Sequence, residues 1–67
     1  MDKAPLDIVI PIYNEGDRVL KLLSVFQDII KTRIRVLLCY DHEDDNVFHY
    51  KDDLSKLNFN VVFVKNP

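Results

Sequence analysis

The residues able to bind a polar ligand are gathered in two short stretches: Asn14 and Glu15 in the first, Asp41, Glu43, Asp44 and Asp45 in the second. Carboxylates at that density accept hydrogen bonds from ribose hydroxyls or from the N–H edge of a base, and they can hold a divalent cation. They repel bare phosphate. His42 and His49 lack the i, i+4 spacing of paired helical zinc ligands. Cys39 lies within the apolar run Ile34–Tyr40 with no base beside it in sequence, so it reads as a small packing residue and not a nucleophile. Gly16 is the only glycine, which excludes both the dinucleotide fingerprint and the P-loop, since each needs several glycines to bring backbone N–H groups against phosphate.

The elements that must position these residues follow from the hydrophobic pattern. Leu6 to Tyr13 (LDIVIPIY) is a β-branched apolar run without helical period, which predicts a strand covered on both faces, with Pro11 near its end. Asp17 to Lys31 places Val19, Leu22, Leu23, Phe26, Ile29 and Ile30 on one helical stripe, and Asp17 is the expected N-cap. Ile34 to Tyr40 predicts a second strand that runs into the acidic loop. A second helix is expected from Val47, with its apolar stripe at Val47, Tyr50, Leu54 and Leu57 and its cap at Asp44, Asp45 or Asn46; Phe59 to Val64 is the third strand. Alternating strands and helices predict an α/β unit, βαβαβ, with a mainly parallel sheet in a three-layer arrangement. Ligands of such sheets bind outside the carboxyl ends of the strands, so the loops Tyr13–Asp17 and Asp41–Asn46 should lie side by side.

A chain of 67 residues is at most one domain, at the low end of what folds unaided. Its 48% hydrophobic and 30% charged content suits a globular unit and not a disordered tail. A formal charge of -2 offers no footprint for nucleic acid or an anionic membrane surface. One cysteine cannot form an internal disulfide, no basic and apolar leader opens the chain, and no apolar stretch approaches the ~20 residues of a membrane span. A cytoplasmic location is the expectation.

The run Ile8-Val9-Ile10-Pro11-Ile12-Tyr13-Asn14-Glu15 resembles the opening of the family 2 glycosyltransferases, inverting enzymes of the GT-A fold whose first strand ends in V-I-P-x-Y-N-E. That family follows its second strand with D-D-G-S-x-D, and Tyr40-Asp41-His42-Glu43-Asp44-Asp45 is similar in part: Asp41 and Asp45 match acids of the motif, Tyr40 replaces its first Asp, and His42-Glu43 replaces Gly-Ser. Asn66-Pro67 resembles the start of the N-x-G segment after the third strand. The resemblance spans essentially the whole chain and implies the N-terminal nucleotide-binding part of a domain of about 200–250 residues.

What the resemblance implies for function is a donor site. Pro11, Tyr13, Glu15, Asp41 and Asp45 would line the pocket for the nucleoside of a nucleoside diphosphate sugar. The family's divalent cation, manganese or magnesium, would be held by residues outside these 67, as would the catalytic base, so this segment alone is expected to be inactive. Glu15 read by itself is a solvated loop acid, and Asp44, Asp45 and Asn46 read by themselves are helix caps and first-turn residues. The alternative is a small non-catalytic α/β module serving folding or partner contact. The resemblance also implies that the first strand lies between the second and a fourth strand outside these 67 residues, so that in this segment Leu6 to Tyr13 would leave an apolar edge open, a site for self-association.

Overall fold

The computed structural model describes residues 6–67. The chain runs β1 (Leu6–Pro11), α1 (Gly16–Ile29), β2 (Ile34–Tyr40), a 3-10 segment (Asn46–Tyr50) that passes directly into the short α2 (Lys51–Ser55), and β3 (Asn60–Lys65). The strands form one parallel sheet in the order β1-β2-β3. The expected βαβαβ succession and the parallel sheet are both present. Register places Asp7, Arg35 and Asn60 in one row, Val9, Leu37 and Val62 in the next, and Pro11, Cys39 and Val64 in the last.

Among the described residues the sheet is covered on one face and not on two. One core cluster unites Val36 and Leu38 of β2 with Val19 and Leu23 of α1, Val47 of the 3-10 segment and Leu54 of α2, so every helical element packs on the same side. Val9, Val62 and Val64, on the opposite side, are exposed. The architecture is therefore two-layered, which corrects the three-layer expectation and the expectation that β1 is covered on both faces. The uninterrupted apolar run of β1 hides this, because a strand buried on both faces and one that leaves valine outside have the same composition.

Element boundaries moved for identifiable reasons. β2 occupies the expected residues, whereas β1 stops at Pro11, two residues short of Tyr13. Helix α1 begins at Gly16, so Asp17 lies inside the first turn and is not the cap; Glu15 holds the cap position without a side-chain cap bond. A distant residue supplies the missing acceptor, since the Gly16 N–H donates to Asn46 Oδ1 at 2.9 Å. The inward face of α1 is built on Val19 and Leu23 with Leu20, Phe26 and Ile30 packed alongside, while Leu22 and Ile29, assigned to that stripe by spacing, are exposed.

Burial of Leu23, Val36, Leu38, Val47 and Leu54 carries the fold, each fully buried large side chain contributing about 1.5–3 kcal/mol. Phe48 fastens the 3-10 segment to the sheet: its ring meets Tyr40 edge-on at 4.9 Å and lies 5.1 Å from Phe63. Such pairs stabilise by about 0.5–1.5 kcal/mol beyond the area they bury. The packing pins the start of the 3-10 segment beside the carboxyl end of β2, where the acidic loop lies.

Candidate functional site

The two polar loops meet at the carboxyl ends of β1 and β2. Asn14 adopts a left-handed backbone, φ 48°, a conformation that asparagine tolerates better than most residues. In that conformation its N–H donates to Asp45 Oδ2 at 3.0 Å. Its side-chain Oδ1 accepts from the Asn46 N–H, and its carbonyl accepts from Asn46 Nδ2, both at 3.1 Å. Asn46 Oδ1 in turn accepts from the Gly16 N–H. Asn46 thus donates both bonds and Asn14 accepts both, each residue using side chain and backbone.

Asp45 is buried, and both carboxylate oxygens are used: Oδ2 accepts from Asn14, and Oδ1 accepts from the Val47 N–H at 2.9 Å as the cap of the 3-10 segment. Gly16 is required by space and not by backbone angle. A Cβ there would lie 2.8 Å from the Val47 Cα and 2.7 Å from the Tyr50 ring, closer than real Cβ atoms approach. The first turn of α1 therefore sits directly against the backbone of the 3-10 segment.

Between the loops lies an open cleft of about 210 Å³, lined by Tyr13, Asn14, His42, Asp44 and Asp45. Tyr13 is 64% exposed, so its ring is free to cover a flat ligand. Asp44 is exposed at the rim and offers its carboxylate to donors. The remaining residues singled out by sequence lie outside the cleft. Pro11 ends β1 opposite Cys39. Glu15 is solvent-facing and lies 3.7 Å from Arg18. Asp41 Oδ1 accepts from Asn66 Nδ2 at 3.0 Å, which ties it to the end of β3.

Glu43 is likewise turned toward β3, where it pairs with Lys65. The hydrogen bond from Lys65 holds the Glu43 carboxyl below its ordinary range, and the same bond raises Lys65. A larger hollow of about 460 Å³ lies at the other end of the sheet, between Ile30–Ile34 and Asn58–Asn60. It holds none of the residues whose chemistry marked the two loops. Among the described residues no group of three His, Cys, Asp or Glu side chains converges as a cation site.

Sequence reasoning predicts that the two loops meet and reads Asn46 as a candidate helix cap; it does not reach the bridge from Asn46 to Asn14 and Gly16 or the close packing at Gly16. The available signals were a solitary glycine directly after a polar turn and an asparagine directly after the acidic run. Among the described residues no helix is long and apolar enough to cross a membrane. No family model matches this chain, and no curated protein or solved structure matches it either.

Proposed function

We propose that this chain forms the nucleoside-binding part of an inverting glycosyltransferase that uses a nucleoside diphosphate sugar. The observation that carries the reading is the cleft at the carboxyl ends of β1 and β2, with an exposed Tyr13 ring and the Asp44 carboxylate on its walls. A base or ribose is flat or small, presents donors, and suits an aromatic cover with an acidic rim. At about 210 Å³ the cleft lies below the usual ~300–1,000 Å³ of small-molecule pockets, so it fits part of a nucleoside and not a whole sugar nucleotide. The V-I-P-x-Y-N-E resemblance adds the reaction class.

In this reading Tyr13 stacks on or covers the base, and Asp44 accepts from a ribose hydroxyl or base N–H. Asn14, Asp45 and Asn46 hold the walls in place. Departure of the nucleoside diphosphate and deprotonation of the acceptor hydroxyl require groups that the described residues do not bring to the cleft.

A second reading, a non-catalytic module, is favoured by one specific observation: Asp41, Glu43 and Asp45 already have partners within the chain. Calorimetric titration with UDP and GDP separates the two. Binding that is lost in Tyr13→Ala and in Asp44→Ala, with folding retained, supports the donor site; heats equal to buffer dilution for both nucleotides support the module.

A further inference from the structure

The larger hollow lies at the amino ends of β2 and β3, away from the cleft, and its volume of about 460 Å³ falls within the ~300–1,000 Å³ of small-molecule sites. Arg35 and Asn60 are register partners, so the turn that follows α1 and the turn that precedes β3 stand side by side as its two walls. Both walls are anchored: the Arg33 carbonyl accepts from the Leu6 N–H at 3.1 Å, and the Asn58 N–H donates to Gln27 Oε1 at 2.8 Å. Ile34 is buried and Ile30 and Phe59 are half-buried, which gives the hollow an apolar, partly aromatic floor. Its rim reverses the chemistry of the cleft. It carries the cations Lys31 and Arg33 with the polar side chains of Thr32, Asn58 and Asn60, and among the described residues no carboxylate lines it.

We propose that this hollow is a binding site for a small organic phosphate monoester, separate from the cleft and independent of what the cleft binds. Among the described residues the ion pairs use Arg18, Arg35 and Lys65, so Lys31 and Arg33 have no carboxylate to neutralise them. The Lys31 ammonium donates to the Asp28 carbonyl at 2.9 Å, which offsets the negative end of α1 that would otherwise repel an anion, and it keeps further donors for a ligand. A phosphate monoester carries about -1.5 to -2 charge at pH 7 and three strong acceptor oxygens. The Arg33 fork takes two of those oxygens, Lys31 supplies the second positive charge, and the Thr32 hydroxyl and the Asn58 and Asn60 amides donate to what remains. The organic group then lies on Phe59 and Ile30. Inorganic phosphate leaves that apolar floor unused, and a neutral aromatic leaves both cations unpaired, so the combination of floor and rim selects the ester over either part alone.

An NMR titration of the isotopically labelled full chain with phenyl phosphate, to roughly 10 mM at low ionic strength, tests the proposal. The expected result is saturable shifts at Thr32, Arg33 and Asn58 to Asn60, with Tyr13 to Gly16 unmoved. Phenyl phosphate should bind about threefold or more tightly than inorganic phosphate, because only the ester buries apolar area on the floor. Arg33→Gln and Lys31→Gln, both at exposed positions, should each weaken binding about fivefold or more and leave the native spectrum intact. Resonances of the hollow that stay fixed through the titration overturn the proposal. So does binding that Arg33→Gln leaves unchanged, or an inorganic phosphate affinity equal to that of the ester, which would reduce the site to counterions gathered on surface cations.

Discussion

Asn46 holds the two loops together by donating two hydrogen bonds to Asn14, from its backbone N–H to Asn14 Oδ1 and from its Nδ2 to the Asn14 carbonyl. The pair joins residues 32 positions apart and fixes the width of the cleft between Tyr13 and Asp44. A loop-to-loop brace built from side-chain amides replaces the backbone pairing that the sheet no longer supplies beyond the ends of its strands.

Removing either amide should therefore cost stability. Asn14→Ala loses the Oδ1 acceptor and an aspect of its left-handed backbone tolerance; Asn46→Ala loses both the bond to Asn14 and the acceptor for the Gly16 N–H. Each is expected to destabilise by about 1–3 kcal/mol in urea unfolding. The double variant should cost less than the sum of the single ones, by about 0.5 kcal/mol or more, because the residues share bonds. Strict additivity would show that the two amides act independently.

Gly16→Ala tests the contact between α1 and the 3-10 segment. Alanine is normally favoured over glycine in a helix by about 1 kcal/mol. Here its Cβ would meet the Val47 Cα at 2.8 Å, and backbone cannot swing aside as a side chain can. Net destabilisation of about 1–3 kcal/mol is expected, with shifts at Asn46 and Val47 in NMR spectra. A more stable Gly16→Ala protein would contradict the close approach.

Acid should weaken the fold through two exposed ion pairs. The hydrogen bond from Arg35 holds Asp7 below its ordinary range, and the hydrogen bond from Lys65 does the same for Glu43. A carboxyl whose folded value is depressed contributes stability above its ordinary value and loses it as pH falls through the folded one. Lys65 is raised, so its contribution persists at neutral pH and disappears only as alkali passes its folded value. The variant carrying Asp7→Asn and Glu43→Gln should show a shallower loss of stability than the parent between pH ~5 and ~2, and added salt should diminish the difference. Parallel pH profiles would assign the acid sensitivity elsewhere.

Much of the fold was legible because strand and helix periods differ. Ile34–Tyr40 and the carboxyl-end meeting of the loops could both be read from the chain, since short β-branched runs alternating with amphipathic stretches admit few arrangements. The open face of the sheet was not legible, because Val9 and Val62 look the same in sequence whether a second helical layer covers them or water does. The site was half legible. Tyr13 stands in the cleft, but Asp41 and Glu43 are drawn toward Asn66 and Lys65, partners that only the register of β2 against β3 brings within reach. Asp45 admits two readings from sequence, a ligand contact by resemblance and a cap by itself; the structure bears out the cap, since its buried carboxylate accepts from the N–H groups of Val47 and Asn14.

The most direct measurement is an NMR titration of the isotopically labelled chain with UDP and GDP, followed at Tyr13 to Gly16 and His42 to Asp45. The donor-site proposal predicts saturable shifts confined to these two loops, stronger for one base than the other, and abolished by Tyr13→Ala without loss of the native spectrum. A folded chain whose loop resonances stay fixed through millimolar nucleotide, or shift no more than the rest of the molecule, would contradict it.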